Sequence, residues 1–191
     1  MALSLSELSD REEIRQVIYK HFRAADRLDQ ALEMEACWDD AVFEGGPVDQ
    51  LMSEAVPIIY GEMLPKYFDV TNHYMANFLI DVRGDEAFTE TYALAYHIVP
   101  ADEHAIMAVL GPKKFAEMNN DASRRYEFIM GMRYAMRLEK RGGVWKIATI
   151  RIVNDWSSAK PYSGVEEEGV YSFLKLRGTR DRTDQSYPWN P

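Results

Sequence analysis

Residues 126–140 read YEFIMGMRYAMRLEK, and after RGG at 141–143 the chain continues VWKIATIRIVNDW over 144–156. In the first run Tyr126, Phe128, Met130, Met132, Tyr134, Met136 and Leu138 alternate with Glu127, Gly131, Arg133, Arg137 and Glu139. A period of two places the first set on one face of a strand and the second on the other. Arg141-Gly142-Gly143 supplies a tight turn, so the two runs predict a long antiparallel hairpin. A second hairpin is predicted upstream, from Tyr74–Val82 and Glu86–Val99 around Arg83-Gly84-Asp85. Strands of this length cannot lie flat, and a sheet built from them twists and curls.

Helices precede these strands. Ser9 or Asp10 can cap the first, with Glu12 or Glu13 completing a capping box. Ile14, Val17, Ile18, Phe22, Ala25 and Leu28 then recur at helical spacing, and His21 and Asp26 fall on the same face. A helix packed by this stripe carries an imidazole and a carboxylate inward. A short helix at Ala31–Cys37 and a strand at Ala41–Glu44 lead to a Gly45-Gly46-Pro47 turn. Asp49–Phe68 is helical in pattern but divided by Pro57, Gly61 and Pro65.

Helices first and long antiparallel strands after them define an α+β class, with a curved sheet enclosing N-terminal helices and a small-molecule concavity. We expect one domain over 1–158, with an insertion at about 100–123 that is helical at Glu103–Leu110 and broken by Gly111-Pro112. Residues 159–191 form a C-terminal extension that either frays or lies as an arm across a neighbouring subunit, with Ser172–Leu176 as a short strand.

Composition narrows the function. The 191 residues are 47% hydrophobic and 28% charged, which suits a globular protein. A net charge of −9 with dispersed Lys and Arg argues against nucleic-acid and anionic-membrane partners. The single cysteine, Cys37, excludes an internal disulfide and a cysteine-based zinc site, and its apolar neighbours predict a buried thiol. With no apolar run long enough to cross a membrane and no signal-like N-terminus, a cytoplasmic location is expected.

Four histidines, His21, His73, His97 and His104, show no metal-ligand spacing. Phosphate loops, nucleophile elbows and dinucleotide fingerprints are missing as well. The expectation is therefore no metal and no cofactor, with general acid–base chemistry by side chains. His97 shares a strand face with Thr89, Thr91, Ala93 and Ala95, whose small size leaves room for a ligand or for a closely packed helix. Phe22, Trp38, Tyr74 and the Met-rich strand offer apolar walls, and Arg133 or Arg151 a positive charge for a developing anion. The ordinary alternative for each histidine is a satisfied core or surface group.

Asp10-Arg11-Glu12-Glu13-Ile14 and Phe22-Arg23-Ala24-Ala25-Asp26 resemble the opening of the SnoaL-like branch of the nuclear transport factor 2-like superfamily. The resemblance continues at Thr71-Asn72-His73-Tyr74 and at Tyr92-Ala93-Leu94-Ala95-Tyr96-His97. It returns from Gly131-Met132-Arg133-Tyr134 through Val144-Trp145-Lys146-Ile147-Ala148 to Asn154-Asp155-Trp156. It implies a cone-shaped α+β barrel, commonly a homotrimer. Enzymes of the branch, among them scytalone dehydratase, hexachlorocyclohexane dehydrochlorinase and bile acid 7α-dehydratase, eliminate without cofactors through a carboxylate–histidine pair.

By the same resemblance Asp26 takes the place of the helix-end aspartate and His73 that of the catalytic histidine. His21 stands where relatives carry a catalytic Tyr or Lys, and His97 near an acidic strand position. The implied function is a cofactor-independent lyase acting on a hydrophobic, aromatic small molecule in aromatic-compound catabolism. It would either eliminate water or release formaldehyde by C–C cleavage of a lignin-derived diaryl compound. An isomerase, a polyketide cyclase and a non-catalytic ligand-binding module are the alternatives on the same fold.

Overall fold

The computed structural model describes residues 3–45 and 49–187, so the expected turn at Gly45-Gly46-Pro47 lies partly outside the described residues. Helix α1 spans Leu5–Arg27, one turn longer at its start than the Ser9 or Asp10 cap predicts. The Glu7 backbone N–H donates to Ser4 Oγ, and the Ser4 N–H donates to Glu7 Oε2, which closes a capping box earlier in the chain. Asp10 is occupied elsewhere, accepting from Lys140 Nζ and Trp145 Nε1 at 2.8 Å each. The helix ends where Leu28 adopts φ 52.

Helix α2 (Gln30–Ala36) runs directly into strand β1 (Cys37–Glu44), and a two-residue strand β2 (Gln50–Leu51) pairs with it. The segment after β2 divides as its prolines require. Helix α3 (Met52–Ile58) gives way to a wider turn at Ile59–Met63, then to helix α4 (Leu64–Tyr67). Two long hairpins follow: β3 (Val70–Arg83) with β4 (Glu86–Val99), and β5 (Tyr126–Arg141) with β6 (Val144–Pro161). Between β5 and β6, Gly142 and Gly143 both hold positive φ (60° and 85°), the geometry that fits a two-residue turn to the twist of its strands.

The six strands lie in the order β2-β1-β6-β5-β4-β3, antiparallel except for the parallel β1–β6 pair. Register shifts at Met75/Phe78, Gly131/Met132 and Arg137/Leu138 bend the long strands, and the sheet curves around α1 without closing. Its inner face carries Ala87, Ala93, Ala95, Met132, Tyr134, Met136 and Leu138, all buried against Ile14, Ile18 and Phe22 of α1. Small residues on β4 let the helix approach closely, and burial of these apolar groups is the main force holding helix to sheet. Cys37 is fully buried in this core.

The insertion forms helix α5 (Glu103–Glu117), kinked at Gly111, where φ is 78 and a Cβ would be strained. It builds a second apolar cluster from Ala105, Ile106, Phe115, Val99 and Tyr126, against which Phe68 and Phe128 pack. The C-terminal extension contains no strand at Ser172–Leu176. Gly169–Phe173 forms a single tight helical turn instead, with Phe173 and Leu176 exposed, so nothing there supplies a sheet edge to pair with. Residues 179–187 return to α1 of their own chain. Asp29, just past α1, accepts from Arg182 Nε at 3.1 Å and Tyr187 Oη at 2.8 Å, and Arg27 faces Asp184 at 3.4 Å.

Candidate active site

Alternation along β3 decides which side chains reach the interior. Thr71 and His73 point to the concave face, whereas Tyr74, the next residue, is 59% exposed on the outside. Thr71 stands opposite His97 on β4, and His97 opposite Phe128 on β5. Asp26 arrives from the last turn of α1. Its Oδ2 accepts the His73 backbone N–H at 3.0 Å, and its Oδ1 lies 2.7 Å from His73 Nδ1. A carboxylate accepts only, so Nδ1 carries the proton and Nε2 is left with a free lone pair. This contact is largely withdrawn from solvent, with side-chain exposures of 7% for His73 and 15% for Asp26.

The His97 ring lies 5.8 Å from that of His73, nearly perpendicular to it, and 4.5 Å from Phe68. Its Nδ1 donates to the Phe128 carbonyl at 3.2 Å. Burial, reinforced by repulsion from the His73 ring when that ring is protonated, pushes the His97 pKa down to about 4. His97 is therefore neutral near pH 7, and its Nε2 is an acceptor. The role open to a protonated His97, assisting a leaving group, is not available to it in that state.

His21 joins a different carboxylate. Its Nδ1 lies 2.8 Å from Glu33 Oε1, and Glu33 also accepts from Tyr60 Oη at 3.2 Å and Cys37 Sγ at 3.7 Å. Glu33 has no exposed surface at all. Between the two pairs stand Phe22 and Tyr134, whose rings are 4.7 Å apart. Tyr134 lies 5.6 Å from the His21 ring and 6.3 Å from that of His73. Burial, then the negative charges of Asp26 and Glu33, hold its phenol well above the ordinary value, so it remains a neutral donor.

The other side chains singled out in the sequence lie apart. Arg133 binds Asp155 and Glu90 on the outer face, and Arg151 binds Glu44. Trp38 donates to the Glu139 carbonyl and lies under Arg141 and Lys146. His104, on α5, faces Tyr67. Of the expected apolar walls, Phe22 lies 5.7 Å from His73, and Tyr134 and Phe128 of the Met-rich strand lie against His73 and His97, whereas Trp38 and Tyr74 stand apart.

Sequence reasoning missed Phe68, Glu33 and Arg180. Phe68 precedes β3 without strand alternation, and Glu33 sits on a helix too short to show a period. Arg180 comes from a segment whose charges carry no pattern. A cleft of about 420 Å³ opens between α5 and the ends of β5 and β6. It is lined by Val109, Leu110, Lys114, Phe128 and Ser157, so Phe128 belongs both to this cleft and to the surroundings of His97. Among the described residues no cluster of side chains is arranged to hold a metal ion, and no helix is long and apolar enough to cross a membrane.

Known proteins place this architecture. A hexachlorocyclohexane dehydrochlorinase (LinA type 3) from Novosphingobium barchaimii shares 16% identity and a TM-score of 0.64, covering 84% of this chain and 95% of that one. A scytalone dehydratase candidate from Novosphingobium aromaticivorans gives 16% identity and a TM-score of 0.58, over 80% and 88% of the two chains. A nuclear transport factor 2-like protein from Salmonella enterica serovar Typhimurium gives 15% and 0.59, over 85% and 99%. A comparison with curated proteins finds no match. Identities this low speak for the fold, which is that of the nuclear transport factor 2-like superfamily. The SnoaL-like domain model matches residues 6–151, from the start of α1 into β6, and the chain is a member of the SnoaL-like family.

Proposed function

We propose that the protein is a cofactor-independent lyase that eliminates water from a hydrophobic, aromatic small molecule, with Asp26 and His73 as its acid–base pair. One observation carries this reading: a single carboxylate holds both the backbone N–H and the ring Nδ1 of His73. That double contact fixes the ring in one tautomer and stabilises the imidazolium that forms when Nε2 takes a proton. Dehydrochlorinase and dehydratase are names carried by proteins of the same fold, and both are eliminations.

In the proposed sequence His73 Nε2 removes a proton from carbon, the C–H electrons form the double bond, and the C–O bond breaks. The proton passes to the leaving hydroxyl, so water departs and the residues return to their starting state. Neutral His97 Nε2 accepts a hydrogen bond from a substrate hydroxyl, and Tyr134 donates one to an oxygen. Phe22, Phe68 and Phe128 form apolar walls suited to an aromatic ring.

The test is mass spectrometry of products after incubation with a panel of aromatic alcohols and diols. Loss of the mass of water supports a dehydratase. Further loss of the mass of formaldehyde identifies the C–C-cleaving version on a diaryl substrate, which begins with the same base acting on a hydroxyl. No turnover with any member of the panel overturns the lyase in favour of an isomerase, a cyclase or a binding module. A homotrimer accompanies this reading, supported by Tyr74, Leu94 and Trp156, which stand exposed and in register across the outer face. Light scattering that finds a monomer at micromolar concentration overturns it.

A further inference from the structure

Arg180 brings to the site a positive charge that the Asp26–His73 pair does not require. Its Nη1 donates to the carbonyls of Leu64 and Phe68, and its Nη2 lies 3.4 Å from Thr71 Oγ1. Thr71 is the register partner of His97 and stands two residues before His73 on the same face. The guanidinium therefore sits at the edge of the histidine patch, next to Phe68, whose ring lies against His97.

Its partners are carbonyls and a hydroxyl, not carboxylates. Arg125, Arg133, Arg141, Arg151 and Arg182 each hold a carboxylate within 4.0 Å, whereas Arg180, like Arg11, Arg23 and Arg177, forms no such ion pair among the described residues, and of these four it is the one beside the histidine patch. Its Nε is buried and donates to no protein atom. The charges that act on it come from three places: Asp26 of α1, Asp69 ahead of β3, and Arg27, which opposes it. Burial lowers the guanidinium pKa, the mark of a cation taken from water without full compensation. A charge in that condition is costly unless an anion completes its surroundings.

The chain also holds this residue in place. On its C-terminal side Arg182 and Tyr187 bind Asp29, Arg27 faces Asp184, and the Arg23 guanidinium lies 4.6 Å from the centre of the Tyr187 ring. Hydrogen bonds from Leu32, Tyr187 and Arg182 overcome the opposing effect of burial and keep Asp29 ionised below the usual carboxylate range. These contacts fasten residues 182–187 to the end of α1, the helix that also carries Asp26.

We infer that Arg180 is a substrate-binding residue that pairs with an anionic oxygen borne on an aromatic ring, either a phenolate or a carboxylate. This rests on the lyase reading and narrows it by naming the substrate class. The rings of Phe22, Phe68 and Phe128 receive the arene, and the guanidinium fixes its charged end, a geometry that orients the bond to be broken toward His73.

The experiment is calorimetric titration of the full chain with para-nitrophenolate, benzoate and, as a neutral control, nitrobenzene. Wild type binds at least one anion more tightly than nitrobenzene, and whichever anion is preferred identifies the oxygen. Arg180→Gln weakens that anion by roughly tenfold to a hundredfold, the range for a charge-assisted hydrogen bond, and leaves nitrobenzene unchanged. Arg182→Gln, which loosens the segment but keeps the Arg180 guanidinium, retains the preference for the anion. Equal losses for anion and neutral probe in Arg180→Gln overturn the inference, because they report packing and not charge. So does a wild type that binds none of the three or prefers nitrobenzene. Binding is read without turnover, so a His73 that does no chemistry and an Arg180 that binds no anion give separate results.

Discussion

Two carboxylate–histidine pairs flank Phe22 and Tyr134; their rings are alike, each with Nδ1 on a carboxylate and a side-chain exposure of 7% or 8%, and it is the carboxylates that differ. Asp26 and His73 join the end of α1 to β3, leave Nε2 of the ring free and retain some exposure. Glu33 and His21 join α2 to the middle of α1, and Glu33 takes three different donors while wholly buried. The carboxylate of the first pair serves His73 alone, whereas that of the second is shared among three donors, which supports the proposal of Asp26–His73 as the base and Glu33–His21 as a brace. Spare hydrogen-bonding capacity beside a reachable surface separates a reactive group from a structural one.

The sharpest way to break that contrast is to remove one member of each pair. His73→Ala should lower turnover of an identified substrate by about 10²–10⁴-fold while the protein stays folded by circular dichroism. Asp26→Asn, which keeps the shape but loses the charge that fixes the tautomer, should cost on the order of 10²-fold in kcat. Full activity in either variant would place the chemistry outside this pair.

Glu33→Ala should produce the opposite pattern. Removing a buried acceptor costs about 1–3 kcal/mol for a donor left unsatisfied, and here it strands the donors of His21, Tyr60 and Cys37. Urea unfolding measures that loss, and kcat per folded molecule should hold. If stability is unchanged and kcat collapses, the buried pair is the reactive one and the contrast is reversed.

His97 sharpens the comparison through pH. Its folded-state pKa is depressed to about 4, below the ordinary histidine value of about 6.5. Between these values the unfolded chain binds more protons than the folded one, so stability rises with pH across the window and is lost as pH falls through it. The full contribution is up to about 3 kcal/mol, an upper bound because the chain also carries acid-titrating carboxylates. The groups facing His97 work in both directions: the charges of His73 and Arg180 depress its pKa, while Asp26 and the Phe128 carbonyl raise it. His97→Gln should flatten the slope of the urea midpoint between pH 4.5 and 6.5. An unchanged slope would assign the acid lability to other groups.

How much of this the sequence could reveal depended on the range over which each cause acts. The strand pattern of Tyr126–Leu138 was legible because alternation is enforced at every residue, and the Gly142-Gly143 turn because only glycine takes those angles easily. The start of α1 was ambiguous, since Ser4-x-x-Glu7 and Ser9-x-x-Glu12 spell the same box and the longer helix prevailed. The candidate site was legible at Asp26 and His73 through resemblance and stripe position. Parity could have shown that Tyr74 faces away from His73. Glu33, Phe68 and Arg180 stayed hidden because they meet His21, His97 and Leu64 across long stretches of chain, up to 116 residues for Arg180, and no local period records such a meeting.

The smallest effect concerns the arginine on the other side of the sheet. Arg133 carries the charge the sequence suggests for an anion, yet β5 alternation sets it beside Tyr92 and Val153 on the outer face. There it reaches Asp155 through Nε and Nη2, at 3.0 and 2.8 Å. An exposed ion pair of this type is screened by water and salt and does little for chemistry on the far face. Arg133→Gln should therefore change kcat and KM by less than about twofold, as an ordinary surface substitution does. A tenfold rise in KM with kcat unchanged would mean that substrate binds on the convex face, or that a neighbouring subunit folds that face into a site. Arg133 and Arg180 thus form a matched pair for assay: one arginine satisfied by carboxylates outside the sheet, one left without them inside it. Only loss at the second is consistent with the proposed ligand on the concave face.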